Sequence, residues 1–404
     1  MRILYLADIR FPLERANGIQ TIETCHALAR RGHDVSLIVR PDTHTPARDP
    51  LTYYGLPPHA GLHIDRAPVA GPAFARRIGY LSFALGRAAG TARSDVIMTR
   101  DLGVASLLLA VPSSLRAPVV YESHGYAPDV AAALPALVET ATQPSHAKLR
   151  RLADREAKVW KGAEGYVTIT GALADEMRTR HGARERSVVV HDGVRIPPGA
   201  RFDAGHRSLV PHAASSYSPI VAYAGHLYPW KGVDVLLEAL ARVPRAHGFI
   251  IGGHAEEPDL GRLKALAGRL GIAGRVQFAG IVEPSRVADL LRDADILALP
   301  NPASAISTRF TSPLKLFEYM SAGRAIVASD LPSIREVLHH EVDALLIAPG
   351  DPEELAAAIE RLDSQPALAA RLARAAFDAA PEYSWDRRAE RLEQLFDEVT
   401  AARR

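Results

Sequence analysis

A chain of 404 residues is longer than one ordinary core, and roughly two to three domains are expected of it. Hydrophobic residues at 48% and charged residues at 23% exclude a disordered or membrane-embedded chain, and a formal net charge of +2 leaves no footprint for a dedicated nucleic-acid partner. The single cysteine, Cys25, excludes an internal disulfide framework and fits a cytoplasmic protein in which a buried thiol packs as a small hydrophobe.

The first apolar run, Ile3–Ala7, breaks at Asp8 and Arg10, too soon for the apolar core of a signal peptide, and reads as a buried strand. A turn over Arg10–Gly18 leads to a helical stretch, Gln20–Arg31, closed by Gly32. Strands are then expected at Val35–Val39, Val96–Thr99, Val119–Glu122, Tyr166–Ile169 and Ser187–Val190. The longest apolar stretch, Val104–Val111, falls far short of the ~20 residues that span a bilayer. The second half repeats the scheme with Ile220–Gly225, Gly248–Ile251, Val276–Ala279, Ile296–Leu299, Ala325–Ala328 and Ala344–Ile347. Such alternation predicts α/β architecture, parallel sheets covered by helices on both faces, in two copies. Residues Ile196–Pro219 hold four prolines and no periodicity, so they divide the chain. The boundaries are 1–197 for the first domain, 198–218 for a linker, 219–380 for the second domain, and 381–404 for a charged amphipathic helix free to pack on either.

Three segments carry candidate chemistry. The turn Arg10–Gly18 contains Asn17-Gly18 just before a helix, whose unpaired N–H groups suit a phosphate, although a glycine there is more often an ordinary turn. The segment Ala224–Asp234 runs from a strand end at Gly225 into an amphipathic helix, the place where doubly wound sheets collect ligands. There Lys231 supplies a mobile charge for a phosphate and His226 a second donor; a solvated loop lysine is the bland alternative. The segment Thr311–Ser329 opens a helix with Thr311 or Ser312 as N-cap and Pro313 in the first turn. Its carboxylate, Glu318, lies between Phe317 and Met320 and would be satisfied by a ribose diol or by an internal pair with Lys315.

In order and spacing these segments resemble the large family of retaining glycosyltransferases called family 4, of the GT-B fold. The resemblance takes in Asn17-Gly18 with Gly32–Val35, Glu122–His124, His191–Val194, Gly225–Leu237, Gly252-Gly253, Arg275–Gly280, Ala294-Asp295 and Ser312–Ser329. It implies two Rossmann-like domains with parallel sheets facing a central cleft, and a donor held mainly by the second. By the same resemblance Lys231, in the loop after Gly225, meets the diphosphate, and Glu318 takes the ribose hydroxyls. The helix start from Thr311 and Ser312 through Pro313 to Leu314 faces the phosphates. The base lies near Ile281 and Val282, Gly18 closes over the diphosphate, and His124 sits beside the transferred sugar as a catalytic group.

Two departures from the family pattern stand out. A second carboxylate usually lies eight residues before the one at Glu318, and that position is Phe310, with no Asp or Glu between Asp295 and Glu318. Arg309 beside it raises an acidic donor sugar, since guanidinium pairs bidentately with carboxylate. At His226 the family often carries arginine. The implied reaction moves a sugar from a nucleotide diphosphate-sugar, a UDP-sugar before a GDP-sugar, to an acceptor hydroxyl by front-face attack. No further cofactor is expected, and no metal, because the sequence shows no Asp-X-Asp or clustered His/Cys pattern. The acceptor would belong to the first domain. There Phe74, Ile78, Leu81 and Leu85 form a stripe flanked by Arg76, Arg77 and Arg87, and a second basic stretch runs from Lys148 to Lys161. Either touches an anionic membrane surface or a phosphorylated lipid, or is a solvated helix with a core-facing stripe. A nucleotide-sugar epimerase and a non-catalytic nucleotide-sugar-binding subunit are the rival readings.

Overall fold

The computed structural model describes residues 1–89, 94–137, 142–197, 199–203, 218–254, 257–304, 307–308 and 314–403. The chain divides into two units. The first is Met1–Ala132, Thr142–Gly193 and Trp385–Arg404; the second is Val194–Ser384 with Ala133–Ala141.

The strands of the first unit are β1 (Arg2–Arg10), β2 (Asp34–Arg40), β3 (Leu62–Arg66), β4 (Val96–Thr99), β5 (Val119–Ser123), β6 (Gly165–Thr168) and β7 (Ser187–Val189). They stand in the order β3-β2-β1-β4-β5-β6-β7, each paired parallel to its neighbours. Ile3 to Ala7 of β1 are all buried, as a central strand covered on both faces requires. Only β3 was not expected. Its sequence, Leu-His-Ile-Asp-Arg, buries Leu62 alone, the pattern of a sheet edge rather than of an apolar run.

The first helix spans Ala16–Arg30, one turn earlier than the sequence suggests. It ends as expected at Gly32, whose φ of 89° lets its N–H reach Ala29 O at 2.9 Å while His33 N–H reaches Leu28 O at 3.3 Å. The last helix, Trp385–Ala401, belongs to this unit and packs on Ala16–Arg30. Trp385, Ala389, Leu392, Phe396 and Val399 are buried at helical spacing, and Arg30–Asp386 and Arg31–Glu393 ion pairs border them.

The second unit has β8 (Ile220–Ala224), β9 (His247–Ile251), β10 (Val276–Gly280), β11 (Ile296–Leu299), β12 (Ala325–Ser329) and β13 (Leu345–Ile347). Their order is β10-β9-β8-β11-β12-β13, again all parallel. Alternate residues of β8 feed two apolar layers. Val221 and Tyr223 join Leu236, Leu240 and Ile359 on one face; Ala222 and Ala224 join Leu316, Phe317 and Met320 on the other. In both sheets the chain reverses its direction of travel beside the first strand, at β1/β4 and β8/β11. The carboxyl ends at such a switch point form a crevice, because the loops there diverge to opposite faces. Among the described residues no helix is long and apolar enough to cross a membrane.

Candidate active site

At the carboxyl ends of β1, β4 and β5 the first unit buries a dense polar cluster. Glu122, the penultimate residue of β5, is fully buried, and one carboxylate oxygen accepts from Arg388 at 2.6 Å. Burial acts to raise its pKa, yet Arg388 first and His124 next hold it well below the usual carboxylate range. Its other oxygen takes His124 Nε2 at 2.6 Å and the Gln20 amide. Arg388 also reaches Thr24 Oγ1 at 2.9 Å and the carbonyls of Val190 and His191 at 3.1 and 2.9 Å. The Gln20 carbonyl is taken by Arg100 at the end of β4.

His124 therefore stands on a fixed support. Burial, and then Arg100, push its imidazole down to about 4, against the pull of Glu122. It is neutral at pH 7, with Nε2–H donated to Glu122. Asp192 lies in the same cluster, and burial raises its carboxyl to about 6 although Arg388 opposes the rise.

Gly18 corrects one expectation. It is not in a turn before the helix but inside the helix's first turn, with its N–H donated to Arg15 O at 2.8 Å. A Cβ there would overlap the Tyr54 hydroxyl and crowd Leu13 O. Tyr54 bridges Leu13 through its N–H and its carbonyl, at 2.8 and 2.6 Å, so a glycine is required for the helix to seat on that bridge. The expected stripe on Ala73–Ala89 also divides. Leu81 and Leu85 pack on the core, Phe74 and Ile78 are exposed, and Arg77 pairs with Asp8 and Asp101.

In the second unit the loop after β8 carries Gly225, His226 and Lys231. Gly225 continues the sheet, its N–H on Ile251 O at 2.9 Å. Gly232, with φ of 73°, ends a short turn over Pro229–Lys231 and lies so close to Pro300 that a Cβ would overlap the Pro300 carbonyl. The Asn301 amide also donates to Trp230 O at 3.0 Å. Lys231 is thus held against the end of β11, at the switch point. Burial, and then the charge of Lys315, push its amine down to about 8. It makes no ion pair with a carboxylate among the described residues.

Lys315 and Glu318 stand on the helix Leu314–Ala322 and pair at 2.8 Å, each side chain about one-quarter exposed. Leu314 begins that helix and is buried. Val282 follows β10 and is partly buried against the apolar layer, beside the exposed Ile281. His226 turns Nδ1 to Glu257 Oε1 at 3.1 Å. The structure thus sets Lys231 within the field of Lys315, which is paired with Glu318, and draws His226 into a cluster of its own. Arg309, Thr311, Ser312 and Pro313, like Phe310, lie outside the described residues.

Sequence reasoning missed Gln20, Arg100, Asp192 and Arg388 as members of the first cluster. Arg388 is 266 residues from Glu122 and sits in a helix of ordinary charged composition. Only its place on the buried face of that helix marks it.

Residues 18–196 match the model of Glycosyltransferase Family 4, and residues 218–365 match that of Glycosyl transferases group 1. Between them they take in most of both units. The chain belongs to glycosyltransferase family 4. Curated relatives of this family 4 chain include the D-inositol 3-phosphate glycosyltransferases of Saccharomonospora viridis, 29% identical over 263 residues, and Streptomyces bingchenggensis, 26% identical over 261. The matches take in 61% and 60% of the chain, but 58% and 55% of those proteins, less than two thirds of their length. Among solved structures, sucrose-phosphate synthase from Thermosynechococcus elongatus superimposes with a TM-score of 0.77 over 99% of both chains, at 18% identity. HepE from Anabaena in complex with UDP and glucose gives 0.69 over 98% of this chain and 99% of that one, also at 18%. At such identity these likenesses establish the fold, which is GT-B.

Proposed function

We propose that this family 4 protein moves a sugar from a nucleotide diphosphate-sugar, UDP-linked in the first instance, to an acceptor hydroxyl with retention of configuration and without a metal. The observation that carries the reading is Lys231, a half-buried lysine against the end of β11, beside the like charge of Lys315 and without a carboxylate partner among the described residues. A diphosphate relieves both the burial and the repulsion. The neighbouring Glu318 supplies the acceptor-only oxygens that ribose hydroxyls need.

In this reading the bond between the anomeric carbon and the phosphate oxygen breaks while the acceptor oxygen bonds to the same face. The acceptor proton passes to the departing phosphate oxygen. Negative charge grows on the diphosphate, and the fixed charges of Lys231 and Lys315 stabilise it without reorganising. His124, neutral and anchored by Glu122, is assigned to the transferred sugar as a hydrogen-bonding group rather than a charged one. On the acceptor side, exposed Phe74 and Ile78 beside Arg76 fit an anionic membrane surface or a phosphorylated lipid.

The test incubates the pure protein with UDP-, GDP-, ADP- and dTDP-sugars, with and without acceptor alcohols, and follows nucleotide release and the anomer formed. Acceptor-dependent release with a retained anomer is expected, undiminished by EDTA. Conversion without acceptor, an inverted product, or activity lost to EDTA and restored by magnesium contradicts the reading.

A further inference from the structure

Three ligand-bearing side chains, His226 and the pair His254 and Glu257 some thirty residues on, meet at one end of the second sheet. His226 follows β8, His254 follows β9, and Glu257 precedes the helix Pro258–Arg269. Parallel pairing of β8 with β9 sets the two histidines side by side. Their rings stack with centroids 5.8 Å apart and planes 22° apart. One nitrogen from each and one Glu257 oxygen all lie within 4.8 Å of one another. We propose that His226, His254 and Glu257 form a binding site for a divalent transition-metal ion of the zinc class, with a coordination position left open.

The spacing fits such an ion. Nitrogen and oxygen ligands about 2.1 Å from a tetrahedral zinc stand about 3.4 Å from each other. The His226–Glu257 pair, at 3.1 Å, already has that separation. The third ligand reaches it by a movement of roughly 1–1.5 Å, within the range of a side-chain rotation. Two imidazoles and one carboxylate select zinc, cobalt or nickel over magnesium and calcium, which take oxygen alone.

Two further features point the same way. Glu257 Oε2 is buried without a hydrogen-bond partner among the described residues, and a cation shared by the carboxylate satisfies it. His226 is also held in place, because its ring lies on Tyr228 at 5.0 Å and Tyr228 lies on Trp230 at 4.5 Å, with planes within 19° and 13°. The Tyr223 hydroxyl fixes the His226 carbonyl at 2.6 Å. A ligand so supported loses little freedom when the ion arrives.

The tag-free chain, stripped with a chelator and dialysed, is titrated with Co²⁺ and then with Zn²⁺. One Co²⁺ per chain should bind with the visible absorption of a low-coordinate nitrogen–oxygen site, and Zn²⁺ should displace it. His254→Gln and Glu257→Gln, made separately and checked for native circular dichroism, should each weaken binding by more than about tenfold. Absence of a Co²⁺ spectrum, or equal binding by native protein and both variants, overturns the proposal. The readout is the ion's own spectrum, so it stands or falls independently of the sugar-transfer reading.

Discussion

The two units place charge at the carboxyl ends of the same kind of sheet and treat it in opposite ways. In the first, Glu122, Arg388, Gln20 and Arg100 consume one another's hydrogen-bonding capacity, and His124 emerges as a neutral ring on a rigid support. In the second, Lys231 is pressed against the end of β11 with a like charge nearby, and its amine is depressed to about 8. A charge that the fold has already neutralised is scaffold. In the proposed reading, a charge without a carboxylate partner among the described residues is held for something that binds.

Breaking the scaffold should have the largest effect. Arg388→Met leaves the Glu122 carboxylate buried with its main counter-charge gone, which costs about 3–5 kcal/mol. The first unit should then unfold at markedly lower urea, read by the fluorescence of Trp160 and Trp385. A variant with native stability would mean that the pair contributes nothing to the first unit.

Removing the uncompensated charge should do the reverse, sparing the fold and harming the reaction. Lys231→Ala relieves a desolvated amine, so the second unit should lose no stability. Sugar transfer should fall about a hundredfold, equivalent to about 3 kcal/mol of leaving-group stabilisation. Near-normal turnover in this variant would remove Lys231 from the diphosphate.

Glu318→Gln sharpens the comparison at smaller scale, because two effects compete. Lys315 is freed to face the diphosphate, a gain of the order of an exposed ion pair, about 0–1 kcal/mol. Hydrogen bonds from ribose to a charged acceptor are weakened, at about 1.5–3 kcal/mol. The second effect is larger, so calorimetry should show UDP bound roughly tenfold more weakly. Tighter binding would identify Glu318 as only the counter-ion of Lys315.

Much of this frame was legible in the sequence because buried parallel strands declare themselves as short apolar runs. Ile3–Ala7 and Ile296–Leu299 needed no tertiary information. β3 escaped because an edge strand buries little, and the start of the first helix was misplaced because Asn17-Gly18 has the chemistry of a turn. What makes Gly18 a glycine is Tyr54, 36 residues on, and local sequence does not report that contact. The candidate site divides in the same way. The place of Lys231 after a strand and of Glu318 within a helix was readable from local sequence. The support beneath His124 was not, since Gln20, Glu122 and Arg388 come together only when three distant segments pack. His226, His254 and Glu257 likewise became a set only through the pairing of β8 with β9.

The central claim is that the Lys231 amine is kept for a diphosphate, and its titration tests this most directly. Bound anion favours the charged amine and raises its pKa above the free value of about 8. UDP affinity, measured by calorimetry from about pH 6.5 to about pH 9.5, should stay level below about 8. Above it, affinity should fall by up to about tenfold per pH unit until the bound pKa is passed. In Lys231→Ala affinity should be weaker throughout and lack that fall. If native protein and Lys231→Ala instead show the same affinity and the same pH profile, Lys231 does not meet the diphosphate.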